Sequence, residues 1–397
     1  QLDLHNPTPR RKLEGMWQLF LRTRRRRWHS MLRPPLDKVG AARWRGSLMK
    51  AAVYHEFGGP IKVEDVATPT APPGGVVVEV RATGVCRSDW HGWKGHDSDI
   101  VDHGLPFVPG HELSGVVSEV GQGVQHFAVG DRVAVPFILS CGSCRECLRS
   151  KPTVCERQEQ PGFTMRGSFA QFVALPRADR NLCKLPCDVS HLAAAALGCR
   201  TTTAYRAVVQ QGGIQAGETI AVFGCGGLGL SCIIVAVAHG ARVLAVDTNG
   251  GALAKSLNLG ASAAINASPG MEFVRQQILD HTEGVGADVT VDAAGFQSTC
   301  ESAVWCARRA GRVVQVGLPA NSEPVIPMAR VAGWELEIVG SHGMAAADFP
   351  HVLQLVAAGT FKPEMLIEQE VGLADGAAAI EAMDHGSPLG ITMVTSF

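Results

Sequence analysis

Four cysteines lie between residues 141 and 155 at spacings that suit a single metal ion. Two residues separate Cys141 from Cys144 and Cys144 from Cys147, and Cys155 follows after a short loop. Four thiolates at about 2.3 Å from Zn²⁺ leave no open coordination position, so such a site is structural and not catalytic. The alternatives are four buried thiols or two disulfides, but the ligand spacing favours zinc. We predict a structural zinc lobe over 141–155.

Residues that could form a second, catalytic metal site occur in three other segments. A catalytic zinc has three protein ligands and one open position. Each candidate alone also has an ordinary explanation, since a single cysteine is usually a small core residue. Spacing by itself does not show that positions so far apart in the sequence converge. The candidate side chains are Cys86, Ser88, Asp89 and His91, then His111 and Glu112, and finally Cys199.

A glycine-rich turn between an apolar strand-like run and an apolar helix-like run indicates a dinucleotide site. Its glycines would allow backbone N–H groups to approach a pyrophosphate at the helix N-terminus. The next strand-like run ends at Asp247, whose carboxylate could accept hydrogen bonds from the adenosine ribose and repel a 2′-phosphate. The alternative role of Asp247 is a helix N-cap. The combination favours NAD over NADP. The turn residues are Gly224, Gly226, Gly227, Leu228 and Gly229.

The elements that must position these residues can be read along the chain. Runs of β-branched residues at 76–80 and 115–120, bounded by Pro and Gly, predict a β-rich module up to about residue 185. A helical region starts near 193–196, and a buried strand is predicted at 218–223. Strand and helix then alternate through Gly317, which predicts βαβ units and a parallel sheet. The fold class is therefore α/β.

Length and composition fit an enzyme of two domains. The chain has 397 residues, of which 46% are hydrophobic and 18% charged. This is enough to form a hydrophobic core in each of two domains. A net charge of −1 argues against nonspecific electrostatic binding of nucleic acid. Twelve cysteines without a secretory signal suggest a reducing compartment. No apolar run reaches the roughly 18 residues of a membrane span. We expect a cytoplasmic protein that binds neither nucleic acid nor membrane.

Residues 1–48 differ in charge from the rest of the chain. They carry twelve Lys or Arg residues against three Asp or Glu residues, including the run Arg24–Arg27. An Arg-rich, acid-poor stretch is compatible with organelle targeting or with an arm that binds nucleic acid. We favour a disordered or non-native leader without a catalytic role, with Met49 as the natural start.

In their order along the chain, these motifs resemble the zinc-dependent medium-chain alcohol dehydrogenases over about residues 49–397. The resemblance implies that Cys86, His111 and Cys199 hold a catalytic zinc whose fourth position takes water or substrate. It also implies roles for the neighbouring residues. Glu112 would approach the zinc from outside its ligand set, Asp89 would orient His111, Ser88 and His91 would relay a proton, and Arg87 would contact the pyrophosphate.

The same resemblance implies an architecture. A GroES-like catalytic domain would comprise 49–199, with the zinc lobe, and 340–397. A Rossmann domain, a doubly wound parallel sheet that binds NAD, would occupy 200–339 between them. The backbone of Val316, Gly317 and Leu318 would hold the nicotinamide carboxamide. We also expect a homodimer or homotetramer.

The chemistry implied by the resemblance is alcohol oxidation. Zinc lowers the pKa of a bound alcohol, the proton leaves through Ser88, the ribose and His91, and hydride passes to NAD⁺. Cysteine at position 199, where polyol dehydrogenases often have glutamate, favours simple primary or secondary alcohols, and the individual alcohol or aldehyde is left open. Two alternatives are a zinc-independent quinone or enoyl reductase on the same fold and a non-enzymatic protein that binds NAD or nucleic acid.

Overall fold

The computed structural model describes residues 47–319, 323–386 and 388–397. Almost all of the predicted leader 1–48 lies outside these residues, and the hypotheses about its role stay predictions. Leu48, the last residue assigned to the leader, begins the first strand. No helix in the described part of the chain is long and apolar enough to cross a membrane.

The first part of the chain is β-rich, as the runs of β-branched residues predict. Val76, Val78 and Val80 lie on one face of the long third strand and pack with Leu113 and Val117 of its neighbour in one buried cluster. The alternation of side chains along a strand produces this face. The strands are β1 (Leu48–Val53), β2 (Lys62–Ala67), β3 (Val76–Gly84), β4 (Leu113–Val120), β5 (Arg132–Val135), β6 (Phe172–Leu175) and β7 (Cys183–Lys184).

The second part contains a parallel sheet with the order β10-β9-β8-β11-β12-β13. Its inner strands are buried almost end to end, as expected when helices cover both faces of a sheet. The order reverses beside β8, and ligands bind at such a switch point in open α/β sheets. The strands are β8 (Thr219–Phe223), β9 (Arg242–Asp247), β10 (Ala263–Asn266), β11 (Ala287–Asp292), β12 (Ala307–Gln315) and β13 (Glu337–Gly340).

The C-terminal strands return to the first part of the chain. They are β14 (Ile367–Gly372) and β15 (Ile391–Ser396). β15 pairs with β3, which gives a seven-stranded sheet with the path β14-β15-β3-β4-β5-β7 and with β6 paired to β3; β1 and β2 form a separate pair. The parallel sheet is thus inserted between two parts of the β-rich sheet. The predicted α/β class, with an inserted doubly wound sheet, is confirmed.

Helices pack on both sheets and carry several of the candidate residues. The long helix that ends in Tyr205 continues as a π-helix, Arg206–Gln211. Short 3₁₀ turns lie at Pro152–Val154, Ala346–Asp348, Pro363–Leu366 and Met383–His385. The α-helices are α1 (Arg87–Trp93), α2 (Ser98–His103), α3 (Arg145–Leu148), α4 (Ala178–Asn181), α5 (His191–Tyr205), α6 (Gly227–Ala238), α7 (Gly250–Asn258), α8 (Met271–His281), α9 (Gln297–Cys306), α10 (Met328–Gly333), α11 (Phe349–Ala357) and α12 (Leu373–Ala382).

Candidate active site

Cys86 lies at the junction between β3 and α1. It is the N-cap residue of the helix, and its backbone N–H donates to Asp89 Oδ2 at 2.9 Å. Capping side chains of this kind satisfy helix N–H groups that have no partner within the helix. The junction therefore fixes Cys86 and Asp89 together, with both side chains buried.

His111 lies in the turn before β4 and is fully buried. Its Nδ1 is 3.0 Å from Asp89 Oδ1, and the same oxygen accepts a hydrogen bond from Gly110 N at 3.0 Å. The predicted orienting contact of Asp89 on His111 is therefore present. The other ring nitrogen, Nε2, is buried and has no hydrogen-bond partner among the described residues. A buried nitrogen without a partner is costly, and a metal ion would satisfy it.

Cys199 reaches the same place because α5 is kinked. Gly198, inside the helix, has φ 29° and ψ −139°. A Cβ at this position would lie 2.6 Å from Glu112 Cγ, so both the backbone angle and the space require glycine. Beyond the kink, Cys199 N donates to Glu112 Oε1 at 3.0 Å.

The three segments converge on one cluster. The ligand atoms of Cys86, His111, Glu112 and Cys199 all lie within 4.8 Å of one another. A hydrogen bond from Cys199 places the pKa of the Cys86 thiol well below its ordinary value, against the effect of burial and with help from Arg200. A thiolate is the form of cysteine that binds metal. Two thiols and an imidazole whose Nε2 has no hydrogen-bond partner in the described part of the chain fit a catalytic zinc.

Glu112 is held by a residue to which the sequence analysis gave no role. Arg200 donates to Glu112 Oε2 from Nη2 at 2.6 Å and to Oε1 from Nε at 3.1 Å, and both side chains are buried. Arg200 Nη2 also donates to Val85 O at 2.7 Å. A Cβ built on Gly227 would lie 3.1 Å from Arg200 Cδ, so the arginine lies between the metal cluster and the glycine-rich turn.

The four-cysteine lobe also folds as a metal cage. The sulfur atoms of Cys141, Cys144, Cys147 and Cys155 lie within 4.8 Å of one another. Although burial alone would raise it, the backbone amides of Ser143 and of Cys144 lower the pKa of Cys141 to about 5. All twelve cysteines of the chain are free, which removes the disulfide alternative. The lobe fits a closed zinc site.

Replacing Cys144 by serine is expected to remove about one zinc ion per chain, because a closed site needs all four thiolates. Apparent stability should also fall, since metal binding contributes to folding free energy. Metal analysis and thermal denaturation check both effects. The matched control is Cys187→Ser, at an exposed thiol outside both clusters. Unchanged zinc content in Cys144→Ser would contradict the assignment of the lobe.

The glycine-rich turn lies between β8 and α6, as predicted. Gly224 has φ +88°, and a Cβ on Gly229 would lie 1.7 Å from Gly224 O, so neither position accepts a side chain. Asp247 ends β9 and accepts hydrogen bonds from Cys225 N at 2.6 Å and Asn249 N at 2.8 Å. The N-cap of α7 is Asn249, which excludes the alternative that Asp247 has this role.

Val316, Gly317 and Leu318 follow β12 at the edge of the parallel sheet where β8 also ends. Gly317 N donates to Asp292 O at 2.8 Å, and Leu318 is 85% exposed. These residues are therefore held near the turn by backbone contacts, with a side chain open to solvent. Their contact with a carboxamide stays a prediction.

The remaining predicted residues lie on α1. Ser88 is half-buried and His91 is exposed. Arg87 donates from Nη1 to Met383 O at 2.6 Å, and its guanidinium stacks on Trp90 at 3.6 Å from the ring centroid. The structure thus gives Arg87 two protein partners, and its contact with a pyrophosphate stays a prediction.

Both family models and individual known proteins match this chain over most of its length. The family model described as the alcohol dehydrogenase GroES-like domain matches residues 72–187, and that of the zinc-binding dehydrogenases matches 227–358. An alcohol dehydrogenase of Geobacillus stearothermophilus is 38% identical over 315 residues, which cover 79% of this chain and 90% of the relative. This chain belongs to the zinc-dependent medium-chain alcohol dehydrogenase family.

Solved structures of the family agree with the fold. The alcohol dehydrogenase TADH of Thermus sp. ATN1 matches with a TM-score of 0.80 and 31% identity, over 88% of this chain and 100% of that one. A structure described as a short chain alcohol dehydrogenase of E. coli CFT073, complexed with the cofactor NADH, matches with a TM-score of 0.79 and 29% identity, over 88% of this chain and 100% of that one. The chain is thus an oxidoreductase of a family that binds zinc and a nicotinamide cofactor.

Proposed function

We propose that this protein is a zinc-dependent alcohol dehydrogenase that catalyses reversible hydride transfer between a primary or secondary alcohol and NAD. The observation that carries the proposal is that Cys86, Cys199 and His111 converge beside the glycine-rich turn, and that Nε2 of His111 has no hydrogen-bond partner among the described residues. A zinc-independent quinone or enoyl reductase would not need this donor set, so the cluster favours alcohol oxidation.

The residues of the site would hold the metal ions and position the groups around them. Cys86, His111 and Cys199 would hold a catalytic zinc, and the lobe would hold a structural one, about two ions per chain. Bound zinc acts as a Lewis acid that lowers the pKa of an alcohol, and bound NAD⁺ accepts hydride. Asp89 fixes the ring of His111, while Arg200 neutralises Glu112 within the same cluster.

Proton release is assigned to α1. Ser88 follows Cys86 by two residues, and the exposed His91 lies one turn further along the helix. Ser88 would accept the hydroxyl proton of the substrate, and His91 would release a proton to solvent. Although His91 is exposed, partial desolvation of its ring by neighbouring groups, followed by the charges of Arg87 and His96, lowers its pKa below the ordinary value of 6.5. The imidazole is therefore neutral at physiological pH and can act as the base.

Replacing His91 by glutamine is expected to slow alcohol oxidation most below about pH 8, where hydroxide and buffer bases are scarce. The wild-type rate should stay high until the pH falls below the lowered pKa of His91, because only the neutral ring accepts a proton. A pH–rate profile with and without a small exogenous base measures both effects. Ser88→Ala should be slower still and should not be rescued by the base. An unchanged profile in His91→Gln would show that the proton leaves elsewhere.

NAD is the proposed cofactor because Asp247 ends β9 beside the turn and its carboxylate would repel a 2′-phosphate. Asp247→Gly is expected to weaken NAD⁺ binding about 10- to 100-fold, the loss expected for hydrogen bonds to a charged group, with little effect on NADP⁺. Titration with both cofactors measures the change. The matched control is Asn266→Gly at the end of the neighbouring strand β10. Asn266 Oδ1 accepts a similar local hydrogen bond from Ser268 N. Equal use of both cofactors by the wild type would contradict this role of Asp247.

A panel of alcohols and aldehydes with NAD⁺ and NADH, run beside metal analysis, tests the proposal. Cys199 as third ligand favours simple alcohols. We expect turnover of at least one class among short-chain, aromatic and secondary alcohols, together with about two zinc ions per chain. Zinc-replete protein that oxidises none of these alcohols and reduces none of the aldehydes would overturn the proposal.

We also propose that the protein self-associates as a homodimer or homotetramer. In the described sheet, β13 is an edge strand with Ile338 39% exposed. An exposed edge strand can pair with the same strand of a second copy. Light scattering measures the mass in solution, and a monomer at enzyme concentrations would contradict this proposal.

A further inference from the structure

Two histidines at the end of α1 face each other outside the cysteine clusters. Nδ1 of His91 lies 3.2 Å from Nδ1 of His96, a hydrogen bond in which one ring donates to the other. The backbone holds the two residues together, because His96 N donates to His91 O at 2.9 Å. Both side chains are exposed, so an ion from solvent can reach the space beside both nitrogens.

The separation of the two nitrogens suits chelation. Histidine nitrogens bind Zn²⁺ at about 2.0–2.1 Å, and two such ligands of a tetrahedral ion lie about 3.3 Å apart. The observed 3.2 Å is close to this value. The two rings would need only to direct both lone pairs at the ion, with water in the other positions.

Trp90 orients both rings. Its ring lies edge-on to His91 at 4.8 Å and to His96 at 5.5 Å between centroids. Trp90 is itself held by a hydrogen bond from Nε1 to Asp384 Oδ1 at 2.7 Å. Side chains held in this way lose less entropy on binding an ion than free surface histidines would.

The charges around the pair are of both signs. Partial desolvation of the ring, then the charges of Arg87 and His96, lower the pKa of His91, so its ring is neutral and able to ligate at pH 7. Arg87, held by Met383 O and Trp90, keeps its positive charge near the pair, whereas the charge of Lys94 is compensated by an ion pair with Asp384 at 2.7 Å. Asp97 contributes the opposite field at His91. When both rings are neutral, binding needs only a shift of one proton from Nδ1 to Nε2, with no net release.

We propose that His91 and His96 form a binding site for a divalent transition-metal cation such as Zn²⁺, separate from the two cysteine clusters. Imidazole nitrogen is a preferred ligand of Zn²⁺, Cu²⁺ and Ni²⁺. The site also bears on the proposed function, because an ion on His91 occupies the nitrogen pair at which protons would leave. Excess metal would then slow alcohol oxidation without displacing the catalytic zinc.

Calorimetric titration of the full-length, zinc-loaded protein with Zn²⁺ tests the site. The variants are His96→Gln and His91→Gln, and the matched control is His103→Gln, an exposed histidine whose ring packs against Phe107. We expect both test variants to bind the additional zinc at least about tenfold more weakly than the wild type, and the control to bind it equally, because a lone imidazole cannot chelate. Equal affinity in all four proteins would overturn the proposal.

A second readout separates this proposal from the proposed function. Alcohol oxidation by the wild type and by His103→Gln should be slowed by added Zn²⁺ and restored by a weak chelator, whereas His96→Gln should need about tenfold more metal. Zinc binding that depends on His96 but leaves turnover unchanged would support the metal site and contradict the proton-release role of His91. Zinc inhibition that is identical in His96→Gln and His103→Gln would count against the site.

Discussion

Replacing Cys86 by alanine is expected to reduce alcohol oxidation at least about a thousand-fold while leaving the fold intact. A metal that acts as a Lewis acid stabilises the charge of the transition state by several kcal/mol, which corresponds to a rate factor of this size. Without the Cys86 thiol, the cluster retains one thiol, one imidazole and the carboxylate of Glu112, which is already engaged by Arg200. Turnover, zinc content and the circular dichroism spectrum together measure the effect.

The matched control for Cys86→Ala is Cys306→Ala. Both thiols are buried, but Cys306 lies in the core of the parallel sheet and in neither metal cluster. The control should keep its activity and both zinc ions, whereas Cys86→Ala should keep only the zinc of the lobe. Wild-type activity in Cys86→Ala would contradict the assignment of the catalytic site.

Breaking the buried pair of Glu112 and Arg200 is expected to cost about 3–5 kcal/mol of stability, because removal of one partner leaves a buried charge uncompensated. Glu112→Leu leaves the guanidinium of Arg200 without its partner. Arg200→Met leaves the carboxylate of Glu112 without its partner. The double variant removes both charges and should recover at least about 1 kcal/mol of the summed loss. Denaturant unfolding of the four proteins, each with its zinc content measured, completes the cycle.

A pair that is less deeply buried provides the control for that cycle. Arg308 and Asp288 are 2.6 Å apart, but their side chains are 29% and 23% exposed. Arg308→Met should therefore cost no more than about 1 kcal/mol. If Arg200→Met were as mild as Arg308→Met, Arg200 would not be the residue that neutralises Glu112.

Short-range patterns predicted those parts of the site that are local in sequence. The cysteines of the lobe lie within one short segment, so their spacing alone indicated a common ion. The glycine-rich turn could be recognised because strand, turn and helix are consecutive. The α/β class followed in the same way from strands and helices that alternate along the chain.

Convergence over long sequence distances could not be derived in this way. Cys86, His111 and Cys199 meet because β3, β4 and a kinked α5 pack together, and only the family resemblance predicted their meeting. The kink at Gly198 leaves no periodic signal, since the alanines before it and the threonines after it are buried alike. Arg200 was missed because its role depends on a side-chain direction set by that kink.

Transfer of deuterium from a labelled alcohol to NAD⁺ tests most directly whether the protein catalyses hydride transfer that depends on zinc. An alcohol accepted in the panel, deuterated on the carbon that bears the hydroxyl, is incubated with NAD⁺ and the protein as purified, after chelation, and after zinc is restored. Mass spectrometry of the nicotinamide product should show deuterium in the first and third samples and none in the second. Deuterium in the product of protein from which all zinc has been removed, or its absence from the product of zinc-loaded protein, would contradict the account.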